Sequence, residues 1–85
     1  GKSNWLAGSR LFRPEAMTVE PAPGAMEYGL PVQSVQYLGD SYEVLPEYEH
    51  NVTWMLHCSR KATPGETLSV YIDPKQVITL KKGVE

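Results

Sequence analysis

Short runs of alternating apolar and polar residues, separated by prolines and glycines, dominate the chain, and this period of two predicts β-strands. Over 51–58, Val52, Trp54, Leu56 and Cys58 fall on one face, with Thr53, Met55 and His57 on the other. Over 67–72, Leu68, Val70 and Ile72 oppose Ser69 and Tyr71. A longer strand is predicted over 30–38, a shorter one over 42–45 and a closing one over 77–80. Brief strands over 9–12 and 17–20 flank a corner at Arg13-Pro14-Glu15. No window sustains the i, i+3, i+4, i+7 spacing of an amphipathic helix. The nearest approach is one turn at Pro14-Glu15-Ala16-Met17, with proline at a position compatible with a helix start.

Turn chemistry sets the joints. Gly39-Asp40 folds 30–38 back onto 42–45, the glycine supplying the positive φ of a tight hairpin. In Thr63-Pro64-Gly65-Glu66, proline second and glycine third suit a type II turn between 51–58 and 67–72. Asp73-Pro74-Lys75 makes a further turn, and Pro21-Ala22-Pro23-Gly24 is a loop outside any sheet. Pro31 has no N–H to donate, so the start of its strand is expected at an edge or a bulge. Six to seven short antiparallel strands, with turn signals every 8–12 residues or so, predict an all-β fold and a small OB-like barrel. Barrel closure would remove edges that so small a domain can hardly cover otherwise.

Length sharpens that picture. A chain of 85 residues makes one domain, and it buries only about 60–65% of the surface its unfolded form exposes. Its core is thin, and partner surfaces are expected to add to its stability. Lys and Arg number 8 against 10 Asp and Glu, a formal net charge of −2, which lacks the basic stripe of a nucleic-acid binder. No apolar run approaches the roughly 20 residues of a bilayer span, and no signal-peptide core is present. Cys58 is the only cysteine, which excludes an intramolecular disulfide and a cysteine-built zinc site.

The candidate chemistry is sparse. Gly1-Lys2-Ser3 has the form of the end of a phosphate-binding Walker A loop, but the first glycine and the preceding strand are missing and Gly8 interrupts the helix such a loop would need. His57 and Cys58 are adjacent on a strand and so face opposite sides, which keeps both from one metal ion; His50 reads as a solvated loop residue and Cys58 as a core hydrophobe. Glu15, Glu43, Glu47 and Glu49 read as solvated loop carboxylates, since paired hydrolytic carboxylates need a cleft. Five tyrosines and two tryptophans would suit a single-strand stacking surface, but the positive charge that holds phosphates is absent.

Four landmarks in order carry a resemblance. They are Gly1-Lys2-Ser3-Asn4-Trp5-Leu6-Ala7-Gly8, Phe12-Arg13-Pro14-Glu15, Tyr37-Leu38-Gly39-Asp40, and Gly65-Glu66-Thr67-Leu68 running into Asp73-Pro74. Together they resemble the TOBE-type C-terminal regulatory domain of ABC-importer ATPases, the group that handles spermidine, ferric iron, sulfate, maltose and similar solutes. The resemblance implies that residues 1–8 end a linker from a nucleotide-binding domain, 9–80 form the β domain and 81–85 a tail. Arg13, Pro14, Glu15, Gly39, Asp40, Gly65, Asp73 and Pro74 then serve as structural motif residues, with none catalytic, cofactor-binding or metal-binding.

On that resemblance the domain is no enzyme. ATP and magnesium belong to the nucleotide-binding domain of the parent, a cytoplasmic protein dimerising at the inner face of the plasma membrane beneath a permease. A homodimer through this domain is implied, no nucleic-acid partner, and a regulatory ligand of unknown identity. The small-residue "T-S-A-R-N" run of oxyanion-binding members is absent, yet a small-ligand barrel of the molybdate-binding type stands as the alternative. The family pattern also carries an extra strand pair between the Asn4 segment and Arg13, which is missing here; this implies a minimal barrel, or one completed by a second chain.

Overall fold

In the computed structural model, residues 3–80 are described; Gly1-Lys2 of the Walker-like triplet and the tail 81–85 lie outside them. The described residues form nine strands: β1 (Asn4–Trp5), β2 (Arg10–Phe12), β3 (Met17–Thr18), β4 (Met26–Tyr37), β5 (Tyr42–Glu49), β6 (Val52–Thr53), β7 (Leu56–Cys58), β8 (Thr67–Ile72) and β9 (Ile78–Thr79). Single 3-10 turns at Pro14–Ala16 and Pro74–Gln76 are the only helical pieces among them. The all-β expectation holds. The strand count is higher than six to seven because β1 lies in the segment assigned to a linker and because 51–58 is broken in two.

All pairings are antiparallel. A three-stranded sheet runs β1-β2-β9, and a six-stranded one runs β3-β8-β4-β5-β6 with β7 also on β5. The hinge of the larger sheet is β4. Its first half pairs with β8, from Met26 opposite Ile72 to Pro31 opposite Thr67, and its second half pairs with β5, from Val32 onward. A bulge between Val32 and Ser34 marks the change, and it bends the sheet around the core. Pro31 therefore stands where only β8 is alongside, next to a bulge, as its missing N–H requires. The wrap is barrel-like but not closed: β3 and β7 come near each other without pairing.

The core gathers the apolar faces read from the alternation. Leu68, Val70 and Ile72 are buried, as are Trp54 and Leu56, with Phe12, Val44, Leu30 and Val32 filling the space between. One expected hairpin is not formed. The Pro64-Gly65 turn has the type II geometry, with Gly65 at φ 93° and Glu66 N–H donating to Thr63 O, but β8 does not return along β7. The turn docks on β4 instead, through Gly65 N–H to Val32 O and Val32 N–H to Glu66 O, both 2.8 Å. Local turn chemistry fixes the bend, and nonlocal burial chooses the neighbour.

Candidate functional site

Trp54 is the residue on which the fold converges. Its ring stacks on Tyr48 with centroids 4.3 Å apart and planes at 14°, while Phe12 and Tyr28 meet it edge-on at 4.9 and 5.3 Å. Those rings come from β2, β4 and β5, so one side chain ties both sheets. Its main-chain N–H donates to Pro46 O, and its indole Nε1 donates to Trp5 O, both at 2.8 Å. A fully buried indole needs that second bond, since an orphaned donor in an apolar core is costly.

Next to it, between β6 and β7, Met55 turns its main-chain groups away from β5, since Trp54 before it bonds to Pro46 O, and no other strand lies alongside among the described residues. Asn4 takes the place of one. Its side-chain Nδ2 donates to Met55 O at 2.9 Å, and its Oδ1 accepts from Met55 N–H at 2.7 Å. The amide acts as a piece of β-ladder, offering one donor and one acceptor in the spacing a main chain would. Asn4 is the buried polar residue among the described ones, at 2% exposure, and no buried side-chain N or O among them lacks a partner. Sequence reasoning placed Asn4 within a landmark but missed its role; the cue is an asparagine two residues before a hydrophobe, with no turn to use it.

The expected motif residues do not form one cluster. Arg13 and Glu15 are exposed, and no ion pair involves either among the described residues. Main-chain bonds hold the corner instead: Ala16 N–H to Arg13 O at 2.9 Å and Met17 N–H to Pro14 O. Asp73 N–H donates to Ala16 O at 3.2 Å, which joins the Arg13-Pro14-Glu15 corner to Asp73-Pro74. The Asp73 carboxylate caps its own 3-10 turn through Lys75 N–H at 2.9 Å. Gly39, at φ 101°, and Asp40 lie at the tip of the β4–β5 hairpin, far along the chain from Gly65 in its turn.

Two open grooves flank the corner. Arg13, Glu15, Met17, Thr18, Met55 and His57 line one. The other, an open cavity of about 440 Å³, is lined by Ala16, Thr18, Ala22, Tyr71, Asp73 and Lys75 among others. His57 Nε2 lies 3.3 Å from Glu43 Oε2 on the exposed face, and His50 is exposed, away from it. Among the described residues no three His, Cys, Asp or Glu side chains converge as metal ligands would. Burial first, then the Glu49 carboxylate beside it, push the Tyr48 phenol above the usual 10.0. Half-buried Cys58 points its Sγ at Arg60 O, 3.2 Å away.

The described surface is made of turns, edges and shallow grooves, several of them fixed by main-chain bonds. The chain belongs to the TOBE domain family, whose model matches residues 11–80. No solved structure matches the chain. No helix among the described residues is long and apolar enough to cross a membrane.

Proposed function

We propose that this domain is the regulatory and assembly module of the ATP-binding subunit of an ABC importer, acting in transmembrane solute transport and performing no chemistry of its own. ATP and magnesium bind the nucleotide-binding domain of the parent, which dimerises at the cytoplasmic face of the plasma membrane beneath its permease. The family match over residues 11–80 is the observation that carries this reading. It is supported by the main-chain groups of Arg13, Pro14, Gly65 and Asp73 and by the Asp73 carboxylate, which are engaged in turns and a cap rather than aimed at a common point. In this role the domain holds two subunits together and relays a regulatory signal between them.

Sedimentation and ATPase assays on the chain test the reading together. Self-association without ATP hydrolysis is expected; turnover of ATP by the chain alone, or a strict monomer at high concentration, would refute it. Calorimetry with molybdate, sulfate, divalent metals and spermidine separates the small-ligand alternative, which requires heat of binding to the free domain.

A further inference from the structure

The second half of β4 has a neighbour on one side only. β5 runs along it from Val32 to Tyr37, whereas β8 ends opposite Pro31 and its turn reaches only as far as Val32. Main-chain direction along this half is set by three bonds. Leu38 N–H donates to Ser41 O, so Leu38 faces β5, and by alternation so do Gln36 and Ser34. Val32 bonds to Gly65 and Glu66 on the opposite side, and the bulge between Val32 and Ser34 accounts for the change of parity. The N–H and C=O groups of Val35 and Tyr37 are thus directed at an open edge, with no strand beside them among the described residues.

Beyond the bulge at its start, that edge lacks the usual protection. Edge strands are ordinarily blunted by lysine, inward charge, proline, brevity or a bulge that twists the edge away. Between Glu27 and Asp40 no charged residue occurs, and past Pro31 the strand runs Val32-Gln33-Ser34-Val35-Gln36-Tyr37, with Tyr37 61% and Leu38 46% exposed. We propose that this edge, Gln33 to Tyr37, pairs antiparallel with the same edge of a second copy about a twofold axis at Val35. In that register Val35 faces Val35 of the second copy, Gln33 faces Tyr37, and Ser34 faces Gln36. The pairing is self-complementary because no like charges meet, and it exchanges main-chain bonds at Val35. Val35 packs on the core beside buried Val44, so the two cores become continuous through the contact. A charged edge would repel its own copy; an uncharged one with exposed Tyr37 admits it.

This inference rests on the assembly reading and names the contact. Ser34 and Gln36 are exposed, which makes them suitable for a charge exchange. Sedimentation equilibrium of the chain is expected to give a dimer. S34K/Q36K places lysine opposite lysine twice and weakens association about tenfold, whereas S34K/Q36E restores it. Mixed-label NMR of the wild type is expected to show an intermolecular Hα–Hα contact between Ser34 and Gln36, with circular dichroism confirming that all variants are folded. A dimer whose association constant ignores both variants overturns the β4 edge while leaving assembly intact. A strictly monomeric chain overturns both.

Discussion

Asn4 satisfies both main-chain groups of Met55, so its loss is felt in two places at once. Asn4→Ala leaves a partly buried N–H and C=O without partners and is expected to cost about 2 kcal/mol of stability. Asn4→Asp keeps the acceptor but sets a buried carboxylate oxygen against Met55 O, so at neutral pH it should cost at least as much as Ala, and less in acid, where a protonated carboxyl can donate. Denaturant titration measures both, and an Asn4→Ala variant as stable as the parent would refute the ladder role. Tyr48 gives a pH-dependent counterpart. Because its folded phenol ionises above the ordinary 10.0, the unfolded chain loses its proton first. The contribution is whole below the unfolded value and declines as pH rises from there through the folded one. Thermal melting from about pH 9 upward should show a fall in Tm that is shallower in Tyr48→Phe; equal slopes would contradict the assignment.

At the scale of elements, the legible part of the fold is local. The 67–72 strand is found with its predicted bounds, because a type II turn and a proline bracket a clean alternation. The Gly39 and Gly65 turns were likewise legible from one residue each. Their glycines have positive φ, 101° and 93°, and an added Cβ would meet nothing within 4 Å. Replacement by L-alanine should therefore cost about 1–2 kcal/mol through backbone strain alone. D-alanine, introduced by chemical ligation, should restore stability; a D-variant as weak as the L-variant would point to a steric cause instead. The β1 strand was not legible, since two residues carry no period. Nor was the break after Thr53: alternation continues from Val52 through Trp54 to Leu56 across it, both pieces pair with β5 in one register, and the interruption falls opposite Pro46, which has no N–H to give.

Across the whole molecule, the missing information was which strand lies beside which. Turn residues announce a reversal, yet β8 leaves its turn to join β4 and β3, because burying Leu68, Val70 and Ile72 against Leu30 and Val32 outweighs sequence proximity. The candidate site was legible as a set of landmarks and not as an arrangement; only the Arg13 corner and Asp73 meet, through Ala16 O. Two sheets joined by one aromatic cluster should unfold together. Near-ultraviolet dichroism of the rings and far-ultraviolet dichroism of the strands are expected to give one coincident transition. Trp54→Phe, which leaves Trp5 O without its donor and opens space beside Tyr48, should lower stability by about 2–4 kcal/mol. Separate transitions would mean that the sheets are independent.

The anchoring of Asn4 and Trp5 has a mechanical consequence. A strand held only at a sheet's rim peels away one bond at a time under load. Here tension applied at Ser3 is delivered through Asn4 to Met55 and through the Trp5 carbonyl to the indole at the centre of the core. Displacement of the entering chain and rearrangement of the interior are thereby geared to each other, as a lever is to its fulcrum.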